Sequence, residues 1–427
     1  MTALRIGICS LIAFCVLALG TVEVWSVSVI EIGAAVLLLW WSIITWRNPN
    51  AKIYWSLLQA SLLGLLVVGV LQLLFHGSAY PYLTRMMVLK LAAYLIVLFL
   101  ATQAFRERKD LYGLAWFLMA FGFLVSLLAI IQHFTSTSEI YWMSELKING
   151  DPYGPYVNRN HFAGFVELTA PVGLALLAFH GVKRDLFPLA TLLSVVPISA
   201  IILSASRGGI IGFGLEIAVL MLLARSGKTW KRQRTTIVAA VALVVLGAVA
   251  WVGTNAALER FAGTNLHEVT LGRRGSMSRG AAHIFRDHLI KGCGLGTMVA
   301  VFPVYETAYD GKVIDHVHND YMEGLAETGI LGGICGVIFL WALYRDGRKN
   351  FTAEQGRFSR GLHAGAIMAV SGLLLHSFVD FNLQIPANAL LFLLQSYLVT
   401  SPALSSDAAA PHERRRRATT SAIAAGT

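Results

Sequence analysis

The chain is poor in charge: only 14% of its 427 residues are Asp, Glu, Lys or Arg, while 56% are hydrophobic. Mean hydropathy is +0.64. A water-soluble domain of this length cannot hide so much apolar surface, so a soluble globular class is excluded. Cysteine is scarce too, with four in the chain. Cys9, Cys15 and Cys335 lie in apolar runs and Cys293 stands alone in a polar loop, so no structural disulfide is implied. The core also lacks a long internal repeat, a low-complexity linker and an appended soluble domain.

What remains is apolar runs. Those near 5–22, 25–46, 54–75, 86–105, 111–133, 161–180, 186–204, 208–225, 235–253, 325–344, 361–380 and 386–401 approach the roughly 20 residues that cross about 30 Å of hydrocarbon. Backbone groups cannot stay unpaired in lipid, so each run is expected to be a helix. The predicted fold is all-α, a polytopic membrane protein of about twelve transmembrane helices forming a single domain over residues 1–401. The flank of the first run, LALGTVEV, lacks a small-x-small cleavage site, so that run is read as a span and not a signal peptide. The basic, Ala-rich tail 402–427 is expected to be disordered.

Basic residues fix the expected orientation. With the N-terminus inside, Arg5, Arg47, Lys52, the 106–109 and 183–184 clusters, 225–234, 345–360 and the tail hold 22 of the 34 Lys and Arg residues. This is a positive-inside pattern. The net charge of +10 then reflects topology and anionic headgroups, with no call for a nucleic-acid partner. Two outside segments interrupt the pattern: 134–160, ending in YGPYVNRNHFAG, and a large loop over 254–324. The second carries Arg260, Arg273, Arg274, Arg279, Arg286, Lys291 and Lys312 against the rule. A basic cluster kept on that side points to an anionic ligand.

Within this loop Met277, Ala281, Ile284, Phe285, His288 and Leu289 recur at helical spacing. They predict an amphipathic surface helix, either a simple lid or part of an anion site. Arg273 and Arg274 stand just before its expected start, where an arginine and free first-turn N–H groups can meet one anion. In SASRGGIIG (204–212), Arg207 sits between two apolar runs. It can snorkel from a short turn, with Gly208 and Gly212 spaced for helix packing, or present a guanidinium fork to phosphate. The glycines of KGCGLG (291–296) read as a helix C-cap and tight turn, not a nucleotide loop.

Residues 314–332, IDHVHNDYMEGLAETGILG, make the most polar place in the chain. Asp320 and Glu323 have capping-box-like spacing with Asp320 as the cap, and Glu323 and Glu327 share a helix face. An imidazole can take a proton from an attacking hydroxyl, which makes His318 a candidate base, while His316 can orient it or bind substrate. Without a His-x-x-x-His pair or a cysteine partner, no metal site is expected.

The stretches VNRNHFAGF, SASRGG, LGRRGSMSRGAAHIFRDHLIKGCGLGTM, DHVHNDYMEGLAETGILGG and HSFVDFNLQIPANALLF together resemble the O-antigen ligase and polymerase superfamily over roughly residues 150–400. The resemblance implies a bacterial inner-membrane glycosyltransferase of GT-C type that works at the periplasmic face. Its donor would be a glycan on undecaprenyl pyrophosphate, its acceptor a glycan or lipid A-core hydroxyl, with neither metal nor other cofactor. Arg207 and Arg274 match the family's pyrophosphate ligands and His318 its proposed base. His316, Asn319, Asp320, Arg273, Arg279 and Asn160 are supporting positions. Ser278 and Leu289 stand where members often carry Trp and Pro. Protein O-oligosaccharyl transfer within the same superfamily, and a polysaccharide transporter or flippase, are the alternatives.

Overall fold

The computed structural model describes residues 1–136, 139–145, 152–225, 272–306, 313–353 and 356–402. The predicted span at 235–253, the loop residues 254–271 and 307–312, and the tail from 403 lie outside the described residues. The helices are α1 (Thr2–Leu17), α2 (Val24–Trp46), α3 (Leu57–Leu74), α4 (Pro81–Ala104), α5 (Arg108–Thr135), α6 (Arg159–Ala178), α7 (Phe187–Leu203) and α8 (Arg207–Ala224). After the undescribed stretch come α9 (Gly272–Asp287), α10 (Met298–Val301), α11 (Asp320–Thr352), α12 (Arg357–His376) and α13 (Pro386–Thr400). Each predicted run other than 235–253 falls on one of them. Among the described residues nine helical segments are long and apolar enough to cross a bilayer, while α1 and α13 are shorter apolar helices. A two-residue hairpin, Glu139–Ile140 with Ser144–Glu145, follows α5.

α6 is mostly apolar and buried throughout residues 161–178, with Glu167 inside it. It packs against α5, α7, α8, α12 and α13, as expected of a helix that faces other helices and not lipid. α12 comes closest because Gly361 and Gly365 meet it: a Cβ at either would press on the backbone of Leu176 or Val172. Small residues four apart let two membrane helices approach in this way. At one end of the bundle Arg5 pairs with Asp110 at 2.5 Å and donates to the Ala104 carbonyl at 2.9 Å. The starts of α6, α8, α11 and α13 and the end of α12 meet at the other end, held by the bonds described below.

The large loop is tied to this second end by a strap. In α11 the helical dihedrals fail at Gly329 (φ 63°, ψ −160°). Beyond the break the N–H groups of Ile330 and Leu331 donate to Leu289 and Ile290 carbonyls at 2.9 and 3.2 Å. The N–H groups of Cys293 and Gly294 donate back to Ala326 and Glu327 carbonyls at 2.9 and 3.1 Å. KGCGLG is thus a C-cap and turn, with Gly292, Gly294 and Gly296 all at positive φ. The Glu327 carboxyl accepts from the N–H groups of Gly296 (2.8 Å) and Met298 (3.0 Å). Gln72 of α3 donates to the Lys291 and Glu327 carbonyls.

α9 buries Met277, Ala281 and Ile284, which form a second small core with Cys293, Phe302 and Val317. The predicted apolar face is therefore shorter than its spacing suggested. α9 ends at Asp287, and Leu289, 46% exposed, belongs to the strap, whose backbone serves α11.

An alanine at Gly292 would meet the Glu327 and Thr328 backbone while holding a positive φ. Gly292→Ala should lose about 2 kcal/mol or more of stability. Gly113→Ala, with nothing near its Cβ, should change it by less than about 1 kcal/mol. Thermal unfolding in detergent compares the two.

Candidate active site

The site is built around the connection between α12 and α13. After His376 the chain turns back on itself, with Val379 and Asp380 N–H groups donating to the His376 carbonyl at 2.9 and 3.1 Å. Pro386 then starts α13, where its missing N–H costs nothing. This turn places Asp380 fully buried. Its Oδ1 accepts the Phe381 N–H at 2.9 Å and lies 3.2 Å from His318 Nδ1 and 3.7 Å from His161 Nε2. Burial opposes a charge there, but the two imidazoles outweigh it and hold the Asp380 carboxyl well below the usual carboxylate range. The neighbouring Phe381 ring is touched by three imidazoles, with centroids 4.7 Å from His161, 4.6 Å from His316 and 4.8 Å from His318.

The histidine stretch is stitched to this connection. The Asp320 N–H donates to the Ser377 carbonyl at 3.0 Å, Asp320 Oδ2 accepts from Leu383 N–H at 3.1 Å, and the Tyr321 hydroxyl donates to Leu374 at 2.6 Å. The expected capping box is not formed. Asn319 is the cap, its Oδ1 accepting from the N–H groups of Tyr321 and Met322 at 3.1 and 3.0 Å. Asp320 is instead drawn to the connection, and Glu323 turns back to accept the Val317 N–H at 2.8 Å and meet His316 Nδ1 at 2.6 Å. His316 is therefore held by Glu323, not by His318. His318 itself sits at φ 53°, a left-handed conformation uncommon for a side-chain-bearing residue. With Nδ1 turned to Asp380, its Nε2 is the nitrogen left for a substrate, and the side chain keeps 24% exposure.

Of the predicted arginines, Arg274 reaches the same connection and Arg207 stands at a helix start beside it. Arg207 is the first residue of α8, capped by Ser206, whose hydroxyl donates to Asn160 Oδ1 at 3.0 Å and accepts the Gly209 N–H at 3.3 Å. Next to it, Gly208 lies under the His376 ring, where a Cβ would overlap Nε2. Arg274 donates through Nη1 to the Val379 carbonyl at 2.5 Å, one residue from Asp380. Both Arg273 and Arg274 lie inside α9, in its first described turn, and not before it. Arg273 is half-buried there. Arg279 is exposed on α9 and has no hydrogen-bond or ion-pair partner among the described residues.

The geometry thus gathers His318, Asn319, Asp320, Arg274, Asn160 and the start of α8 around one turn, and leaves Arg279 outside. Asp380 and His161 are additions the sequence reading did not make. Their signal was present: a lone carboxylate closing an apolar run and a histidine directly after Asn160, both expensive near hydrocarbon unless paired. Among the described residues no group of three or more His, Cys, Asp or Glu side chains is arranged to hold a metal ion.

Residues 192–337 match the family model described as O-antigen ligase. The match covers about a third of the chain and supports the resemblance to the O-antigen ligase and polymerase superfamily. It spans Arg207, Arg273, Arg274, His316 and His318, but not His161 or Asp380. It supports a multi-pass membrane enzyme that transfers or ligates a lipid-linked glycan. No curated protein matches the chain.

One pH dependence follows from the His316–Glu323 pair. Burial disfavours the imidazolium, but the Glu323 carboxylate more than offsets this and raises the His316 pKa above its ordinary value. A raised folded-state pKa stabilises the protein fully below about pH 6.5. That contribution is lost as pH climbs through the raised value. The thermal unfolding midpoint should therefore fall as pH rises above 6.5, and Glu323→Gln should flatten that slope. An unchanged slope in Glu323→Gln would show that the pair does not carry it.

Proposed function

We propose that this chain transfers an oligosaccharide from undecaprenyl pyrophosphate to a hydroxyl acceptor. It would act as an O-antigen ligase or surface-polysaccharide polymerase with twelve spans in a bacterial inner membrane and its site on the periplasmic face. The observation that carries this reading is the arrangement around Asp380: an imidazole oriented by a buried carboxylate, beside an arginine bonded to the next backbone carbonyl.

In this reading Arg207 and Arg274 grip the pyrophosphate of the donor. Asp380 fixes the Nδ1–H side of His318, as a carboxylate orients a catalytic imidazole elsewhere, so the Nε2 lone pair faces the acceptor. The acceptor O–H bond breaks, its proton passes to His318 Nε2, and the oxygen's electron pair forms the new bond to the anomeric carbon. The bond from that carbon to the pyrophosphate oxygen breaks with its pair on oxygen, and the two guanidinium groups meet the growing charge. Attack opposite the leaving group inverts the anomeric centre. No step needs a nucleotide sugar or a divalent ion.

The test uses the full chain, purified into lipid nanodiscs with a polyprenyl-pyrophosphate-linked oligosaccharide. His318→Ala should lower kcat by roughly 10²- to 10⁴-fold. Arg207→Ala and Arg274→Ala should each lower kcat/KM for the donor by about tenfold or more. Product linkage read by NMR should be inverted, and chelators should leave the rate unchanged. Wild-type transfer in all three variants would sink the catalytic assignment. A donor that even the native protein leaves unconsumed, with every acceptor offered, would point to transport or scaffolding. Offering lipid A core, repeat-unit glycan and a protein acceptor side by side separates ligase, polymerase and protein glycosylation.

A further inference from the structure

Behind Asp380, three more ionisable side chains lie in the bundle interior, and the reaction above makes no use of them. They are Glu167 on α6, Glu216 on α8 and His376 at the end of α12, each at most 1% exposed. His376 Nδ1 meets Glu167 Oε2 at 2.7 Å. Glu167 Oε1, both oxygens of Glu216, His376 Nε2 and Asp380 Oδ2 are buried without a hydrogen-bond partner among the described residues. Each group has a glycine opposite it: a Cβ at Gly212 would overlap Glu167 Oε1, at Gly372 Glu216 Oε1, and at Gly208 His376 Nε2. The helices therefore keep room for these polar groups.

The surrounding charges decide their ionisation. His376 is faced by Glu167 from α6, by Arg274 from α9, by Asp380 from the connection, and by the Gly208 end of α8, the helix that also carries Arg207 and Glu216. α13, also packed on α12, carries no charged side chain. A lone ion in such a place costs several kcal/mol, and one imidazolium can offset only the carboxylate it touches. Arg274 is turned to the Val379 carbonyl. Glu216 is left with no cation bonded to it among the described residues.

We propose that Glu216 is held as the neutral acid, that Glu167 and His376 form an ion pair, and that the His376 imidazolium is a positioning group that keeps Asp380 a carboxylate set against His318. This rests on the reading of His318 as the base.

Two measurements on the full chain in nanodiscs test it. Infrared difference spectroscopy should show a buried carboxylic-acid C=O band in the native protein that Glu216→Gln removes. His376→Gln, which strips Glu167 of its cation, should add a second acid band; a purely structural histidine would not. The same variant should lower kcat roughly tenfold, the size of a one-unit change in proton affinity, with donor KM little changed. The proposal fails if Glu216→Gln removes no band, if His376→Gln adds none, or if His376→Gln keeps native kcat. Should His376→Gln not fold, the near-isosteric Glu216→Gln still decides through its band. Loss of the base reading is seen separately, as native transfer by His318→Ala, and leaves the infrared result untouched.

Discussion

A carboxylate buried at the end of a membrane bundle stays ionised only if protons are brought to it. Asp380 imposes that condition on the rest of the site. Two donors reach it, the Phe381 N–H of its own turn and His318 from the large loop, and the His161 ring from the first turn of α6 stands 3.7 Å away at ion-pair distance. These groups act in a region where water competes little. The loop must therefore come down to the bundle, and the unusual φ of His318 (53°) is a local consequence. Bonds from Asp320, Tyr321 and Arg274 to residues 374–383 then fix the same turn from outside.

A loop that must deliver a side chain to a few tenths of an ångström needs its own foundation. Here the foundation is the break in α11 at Gly329. A continuous helix would use its N–H groups internally; the break frees those of Ile330 and Leu331 for the strap 289–294, whose Cys293 and Gly294 fasten it in return to Ala326 and Glu327. The small core of Met277, Ile284, Phe302 and Val317 sits on this strap. Val317 lies between the two histidines, so burying it orients both.

Hydrophobic length was enough to read the described membrane helices, because a bilayer forces apolar runs into helical spans. The periodicity of Met277, Ala281 and Ile284 was legible for the same reason, since one face must leave water. Position in the chain hid the rest. His161 and His318 are far apart in sequence, and only the packing of α6, α11 and α12 brings them to one carboxylate. The capping assignment went to Asp320 by spacing alone, whereas the competing demand of the Leu383 N–H drew it away and left Asn319 as the cap. Tertiary bonds outrank local capping when both cannot be satisfied.

The glycines make a related point about membrane packing. Gly208 and Gly212 have the spacing that usually lets two helices touch, and Gly361 and Gly365 do serve that purpose against α6. Yet Gly208 and Gly212 face an imidazole nitrogen and a carboxyl oxygen, and Gly372 faces another carboxyl oxygen. Gly212 still lets α8 approach the Gly372 carbonyl of α12, but the small residues there also leave space for ionisable groups that an alanine-lined interface would expel. Retaining such groups is costly in a bilayer, so an interface shaped to hold them argues for a role in the chemistry at its end and not for stability alone.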